Sequence, residues 1–492
     1  MSRQSFSSRA ARPLSIALAS FTLVAASSAF ATSAPRNVDP TVWIEQQVSA
    51  NDGLAGDTFG WPVVVSGTTA FVGADNATVD GNTEQGAVYV FTKTDGKWTQ
   101  TQKLTASDGA ANDVFGYSIA LDGDTAVIGA SNATVGGNGG EGAAYVFTRS
   151  DGVWTQATKL TAADGSANAE FGIAVALEGS TAFVGAHHTT IGGNNAQGAV
   201  YVFSGSGSEW SQSQKLTASD GAPFDFFGWT IALDGDAALI GAPDADIDGT
   251  EDQGAVYVFA QSNGSWSQAQ KFVASDGGPD DNFGYAVAAY GTTALIGANF
   301  ATVGGQQQEG AAYVFTNGGA SWTQAQKLTA SDGGAFGNFG AAVSVSGPIA
   351  FIGAAGEDAA YEFTSANGNW SQTREFMSGS PSYDGFGYHV SWDGATALIG
   401  ASFATIGGNG SQGTAYFYGA ADLGLNLSAP ESIGQGQQYV SQTIATNNAS
   451  AASPAVTATM TVPAAASFVS ATATQGGCSE TSNVVTCDFG AI

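Results

Sequence analysis

A phrase that returns at fixed intervals constrains this chain more than any single residue does. The pair Phe-Gly begins at Phe59, Phe115, Phe171, Phe227, Phe283, Phe339 and Phe386; the first five intervals are 56 residues and the last is 47. A Gly-Ala pair follows 14 residues after each, beginning at Gly73, Gly129, Gly185, Gly241, Gly297, Gly353 and Gly400. Next comes a Gly-x-x-Tyr-x-Phe phrase, as in GAVYVF at 86–91, and a tryptophan-led segment such as WTQTQKLTASDG from Trp98 ends the unit. Periods of this length mark repeat architectures, in which one unit buries its apolar face only against its neighbours.

Each unit reads as four strands, for example YSIAL (117–121), TAVIGA (125–130), AAYVFT (143–148) and VWTQATKL (153–160). Asp122-Gly123 signals a two-residue hairpin between the first two, and Ser150-Asp151-Gly152 does the same between the last two. TAVIGA is apolar on both parities, which suits a strand covered on both faces. The tryptophan strand alternates with Gln and Thr, which suits a half-wet outer strand. Four antiparallel strands repeated radially make a propeller blade, with a solenoid as the alternative. Strand bookkeeping favours the ring. Tryptophan strands follow six units, at Trp98, Trp154, Trp210, Trp266, Trp322 and Trp370, while an orphan copy, TVWIEQQVSANDG, precedes the first unit at 41–53. The expected fold is therefore all-β: a seven-bladed β-propeller over residues 41–419, closed by the N-terminal strand so that no raw sheet edge remains.

The two ends have a different character. Residues 1–31 read as an export signal: Arg3, Arg9 and Arg12, then the apolar LSIALASFTLVAA, then Ala29-Phe30-Ala31 as a small-x-small cleavage pattern. Residues 32–40 read as a linker, and no later apolar run is long enough to span a bilayer. The expected product is exported, either secreted or held at the cell surface. From residue 420 the rhythm stops, and QYVSQTIAT, AVTATMTV and SFVSATA suggest short strands of a second domain, 420–492. Cys478 and Cys487 are the only cysteines; in an exported chain, on the flanks of a hairpin, they predict a disulfide, with two buried thiols as the other reading. The net charge of −29 repels phosphate backbones and anionic lipid, so nucleic acid and membrane are not expected partners. With 11% charged residues and 11% aromatics, the chain is folded despite its acidity.

The FG…GA phrase resembles the FG-GAP repeats of integrin α-subunit propellers, and more closely their bacterial relatives with KLTASDG…FG phrasing. That resemblance covers 41–418 and implies a seven-bladed propeller with extracellular adhesion or ligand binding as its role. Residues 420–492, through TNNASAASPAVTATMTVP and SFVSATATQGGCS…VTCDFG, resemble DUF11-type Ig-like repeats of bacterial surface proteins, which implies a small, incomplete Ig-like β-sandwich. Integrin repeats carry a calcium loop between FG and GA. Here that connection is a tight turn such as Leu121-Asp122-Gly123-Asp124, so those calcium residues are not carried over.

An acidic loop stands in their place. The fourth unit's second-to-third connection, PDADIDGTEDQ, offers Asp244, Asp246, Asp248 and Asp252 with Gly249 at a turn, and oxygen ligands at alternate positions suit calcium. A solvated acidic loop is the other reading. Asn76, Thr78 and Asp80 are a faint echo in the first unit, and the sixth unit has lost this loop, its Gly353-Ala354-Ala355-Gly356-Glu357-Asp358 running almost directly to Tyr361. In a four-stranded meander the second-to-third and blade-to-blade connections share a face, so SDGAAND (107–113), APFDF (222–226), GGPDDN (277–282) and the Asp244 loop lie together.

Phe224, Phe226, Trp229, Trp61 and Trp392 depart from the repeat pattern; core or rim packing is the favoured reading, with sugar stacking as the other. His187-His188 read as a surface loop, and His389 has no motif around it. No nucleophile elbow or P-loop is present. The expected function is non-catalytic recognition or adhesion towards an extracellular protein or glycan ligand, with calcium as the candidate cofactor. A lectin-like propeller and a secreted hydrolase on the same scaffold are the alternatives.

Overall fold

The computed structural model describes residues 43–420, apart from 320 and 381, and outside that range residues 15–25, 29–30, 423–428, 432–433, 438–447, 456–461, 466–473, 477–481 and 484–490. Seven four-stranded sheets of the propeller type follow one another through the chain. In the second blade Phe115–Asp122, Thr125–Ala130, Ala143–Ser150 and Val153–Leu160 pair antiparallel in chain order. The second and fourth strands have the expected limits, and the other two run longer. The first hairpin differs by one position. Its central residues are Gly123-Asp124, with Gly123 at φ 56°, because a two-residue loop entering through the left-handed region takes glycine first. The seventh sheet consists of Phe386–Trp392, Thr396–Ala401 and Thr414–Ala420, with Trp43–Val48 on its outer edge. There the Thr414 hydroxyl donates to the Val48 carbonyl at 2.7 Å and the Gln47 amide donates to the Tyr416 hydroxyl at 3.1 Å.

The motif glycines are the seam between blades. A Cβ on Gly185 would stand inside 3.0 Å of the Gly228 carbonyl oxygen in the next blade, and Gly129 meets Gly172, Gly241 meets Gly284 and Gly297 meets Gly340 in the same way. Gly-Ala of one blade and Phe-Gly of the next are thus two halves of one backbone contact. The series includes Gly400 on Gly60, so the seventh blade abuts the first. Across that same seam Phe59 N–H donates to the Gln412 carbonyl at 3.0 Å, and the Trp98 ring stacks on Phe417 at 4.3 Å.

Aromatic packing repeats with the blades. The Phe of each Phe-Gly packs on the third-strand Tyr, edge to face in every blade but the sixth, for example Phe59–Tyr89 at 5.5 Å and Phe227–Tyr257 at 5.5 Å, all four rings buried. Such edge contacts add about 0.5–1.5 kcal/mol each beyond burial. A polar rung runs outside this core. Gln102 donates from Nε2 to the Trp154 carbonyl (2.6 Å) and accepts from the Trp154 N–H (3.0 Å). Gln46–Trp98, Gln214–Trp266, Gln270–Trp322 and Gln326–Trp370 repeat it. In the first blade the outer strand buries Trp98 and Leu104, exposes Thr99 and Thr101 and leaves Gln100 and Gln102 half-buried. In the sixth blade the long loop is replaced by a single 3-10 turn, Ala355–Glu357.

A second unit is built from the terminal segments. One sheet has the order Leu423–Ser428, Gln438–Asn447, Ser15–Ala25, Ala466–Ala473; another has Val456–Thr461, Val484–Gly490, Gly477–Thr481. Cys478 and Cys487 face each other across the last pair and form the predicted disulfide, their Cα atoms 3.9 Å apart. Ser15–Ala25, the apolar heart of the expected leader, is a strand here. Its basic start at Arg3, Arg9 and Arg12, the cut after Ala31 and the linker 32–40 lie outside the described residues.

Candidate functional site

The long connections share one architecture, which decides what the Asp244 loop can do. Ile247 and Thr250 exchange backbone hydrogen bonds (3.0 and 2.8 Å) around Asp248-Gly249, both at positive φ. The same miniature turn closes on Val79–Asn82, Val135–Asn138, Ile191–Asn194, Val303–Gln306 and Ile406–Asn409. Asp248 therefore occupies a turn position held by Gly136, Gly192, Gly304 or Gly407 in other blades. Asp246 accepts the Asp252 N–H at 3.1 Å, and Asp244 accepts from the Asn282 amide at 2.8 Å. These four carboxylates do not form a group whose ligand atoms all lie within 4.8 Å of one another.

Much of the acidity on this face has a structural task. Asp108 takes Lys159 at 2.7 Å and the Tyr145 hydroxyl at 2.9 Å, and Asp52, Asp164, Asp220 and Asp276 hold Lys103, Lys215, Lys271 and Lys327 in the same way. Asp57, Asp113, Asp225 and Asp281 accept a backbone N–H three residues upstream. One group of the remaining carboxylates lies at the fourth blade. Asp244 is pushed up to about 6 by burial and by the charges of Asp252, Asp225 and Asp280. Asp252 is raised by burial and by Asp246, Asp280 and Glu251. Asp280 reaches this group because its N–H bonds to the Glu251 carbonyl at 3.0 Å, zipping the next linker onto the loop.

A cavity of about 250 Å³ is lined by the residue after Phe-Gly in all seven blades: Trp61, Tyr117, Ile173, Trp229, Tyr285, Ala341 and Tyr388. First strands are the innermost of a propeller, so this is its axial channel. Trp61 and Trp229 thus depart from the repeat as members of an aromatic ring, with Trp61–Tyr388 at 5.4 Å and Trp229–Tyr285 at 5.6 Å. His389 also lines the channel, 4.6 Å from Trp61, and burial lowers it to about 4. Trp392 is buried against Phe351, whereas Phe224 is 58% exposed.

The expectation for the His187-His188 loop needs correction. His187 is only 3% exposed, because the connection folds it under Phe226 (5.4 Å) and edge-on to Trp229 (5.2 Å) of the next blade. Glu170, the residue before Phe171, meets both rings: Oε2 is 3.6 Å from His187 Nε2 and Oε1 is 3.2 Å from His188 Nδ1. Burial, reinforced by His188, lowers His187 to about 4, so its ring is neutral at neutral pH. Burial raises Glu170, but the His188 hydrogen bond and the electrostatic pull of the two imidazoles outweigh it and hold the carboxyl below its usual value. Sequence reading missed Glu170. The available signal was the repeat itself, since Thr58 donates to Asp75 from the same two positions of the first blade.

The family model described as FG-GAP repeat matches seven times, at residues 43–91, 98–147, 154–203, 210–259, 266–315, 322–369 and 370–418. A search of curated proteins finds no match. A solved structure described as "Structure of U3-55K" is similar at 9% identity and a TM-score of 0.47, over 76% of this chain and 98% of that one. Likeness of that size carries no functional inference. Seven matched repeats, each spanning the outer strand of one four-stranded sheet and three strands of the next, identify the chain as a member of the FG-GAP repeat family.

Proposed function

We propose that this is a non-catalytic, exported recognition or adhesion protein, binding an extracellular protein or glycan on its long-loop face with calcium at the fourth-blade loop. The observation that carries the reading is the convergence of carboxylates around Asp244, where Asp246 takes the Asp252 N–H at 3.1 Å and burial, then the charges of Asp252, Asp225 and Asp280, raise Asp244 to about 6. A hard divalent cation relieves such repulsion, and longer loops on a rigid scaffold are where binding residues concentrate. The disulfide fits an oxidising compartment. We read the ring as closed by the N-terminal strand, supported by its place at the edge of the seventh sheet. The terminal unit is read as a partial Ig-like module, supported by its antiparallel sheets of short strands.

The test is calcium calorimetry on the wild type and on the Asp244→Asn, Asp246→Asn, Asp248→Asn triple variant, followed by capture of surface and medium components with and without chelator. Binding and chelator-sensitive capture that both vanish in the triple variant are expected. Calcium that neither binds nor changes capture sinks the cation part. The lectin-like reading has its own observation, the aromatic ring of the axial channel. Glycan-array binding lost in Trp229→Ala but retained in the triple variant would move the ligand from the loops to the channel.

A further inference from the structure

We propose that Glu170, His187 and His188 form a binding site for one divalent transition-metal ion of the zinc class. This goes beyond the calcium reading and involves none of its residues. Among the described residues, this is the one group of three or more His, Cys, Asp or Glu side chains whose ligand atoms all lie within 4.8 Å of one another. Donors about 2.0–2.1 Å from a tetrahedral ion stand roughly 3.3 Å apart. The observed separations are 3.2 Å for His188 Nδ1 to Glu170 Oε1 and 3.6 Å for His187 Nε2 to Glu170 Oε2. One ligand atom from each of the three residues lies within 4.8 Å of the other two, with the imidazoles on different oxygens of the one carboxylate.

The His187 ring asks for such a partner. Its Nδ1 is buried with no hydrogen-bond partner, and its Nε2 is beyond hydrogen-bond length from Glu170. An ion shared with Glu170 and His188 would engage Nε2, the nitrogen that faces Glu170, and give it the partner the carboxylate at 3.6 Å does not, while Nδ1 keeps the proton. Two imidazoles with one carboxylate favour zinc, copper or nickel over calcium, which prefers oxygen donors throughout.

The sequence makes the site singular. It needs a carboxylate before Phe-Gly and histidines directly after Gly-Ala, in one blade. Other blades carry Thr58 with Asp75-Asn76, Val114 with Ser131-Asn132, Phe226 with Pro243-Asp244 or Asn282 with Asn299-Phe300. The backbone is fixed before any ion arrives: Glu170 N–H bonds to the Gly140 carbonyl at 3.0 Å, and Thr189 N–H to the Ala186 carbonyl at 3.1 Å. Phe226 and Trp229 wall one side, while the His188 side chain, 36% exposed, leaves the other side wet. Three protein ligands with a solvent side leave a coordination position for water or a ligand group.

The test uses the full chain without an affinity tag, stripped with chelator, then titrated with zinc by calorimetry and with cobalt by visible absorption. One ion per chain is expected, with cobalt bands of a low-coordinate site. His188→Ala and Glu170→Gln should each weaken zinc tenfold or more, in proteins whose circular dichroism matches the wild type in chelator. Asp151→Asn, on an outer hairpin, should change nothing. Absence of zinc binding to the wild type, or undiminished binding in the His188→Ala, Glu170→Gln double variant, overturns the site. Calcium affinity is measured on the same samples, so either metal reading can fail alone.

Discussion

Replacing Gly185 by alanine tests whether the repeat motif is a packing seam. Gly185 lies outside the left-handed region, so alanine brings no backbone penalty, and whatever it costs comes from the neighbour. The new Cβ would stand well inside 3.0 Å of the Gly228 carbonyl oxygen, 3.2 Å from that carbonyl carbon and 3.4 Å from the Ala174 Cβ. The obstacle is backbone of the next blade, which yields only if the blades part by roughly an ångström. Overpacking costs about 1–3 kcal/mol, and a rigid partner puts this case near about 3 kcal/mol. Unfolding entropy near 2.1 cal/mol/K per residue gives a cooperative unit of roughly 375 residues about 0.8 kcal/mol/K, so the melting temperature should fall by about 4 °C. Gly192→Ala is the control. It has φ 60° and open space around it, so its cost is the left-handed backbone alone, about 1–2 kcal/mol and about 2 °C. Urea midpoints and thermal melts of both variants read the difference. If Gly185→Ala melts within 1 °C of wild type, or costs less than Gly192→Ala, the seam account of the motif is wrong.

Three further outcomes follow from the same geometry. Asp244 is raised to about 6 in the fold from 3.8, so the stability it lends is full below pH 3.8 and lost as pH rises through 6. Asp244→Asn should therefore stabilise the calcium-free protein by about 1 kcal/mol at pH 7.5, after discounting for its partial exposure, and by nothing at pH 3.5. In the sixth blade Glu375 takes the place of the repeat lysine and is raised by burial and by the charges of Asp332 and Glu357. Glu375→Lys should restore the pairing seen between Lys327 and Asp276 at 2.6 Å, adding about 1 kcal/mol in thermal melts at low salt and less at 1 M salt. A chain beginning at Ala50 should melt lower and less cooperatively than the full chain, with recovery on adding a peptide of residues 41–53; an unchanged melt would remove the N-terminal strand from the ring.

Blade boundaries were legible because strand alternation and turn chemistry are local. TAVIGA at 125–130 became a fully covered strand, and the Trp98 strand an alternating one, since period-2 burial needs nothing beyond neighbouring strands. The Asp244 loop shows what one unit hides when read alone. Asp-Gly at 248–249 read as part of a ligand string, yet it is the repeat's own turn, and only alignment with Gly136-Gly137 shows this. Trp61 and Trp229 were visible as departures from the repeat, but their destination on the axis was not.

The sequence alone determined the unit, its four strands, the count of seven and the acidic character of the long connections, because period, turn residues and charge are written within one repeat. Only the tertiary structure decided that Gly185 seals against Gly228, that seven post-motif residues ring one channel, and that Glu170 faces His187 and His188. Those pairings join residues from separate strands and separate blades, and their distances are fixed by how closely the sheets approach, a quantity that no local pattern encodes.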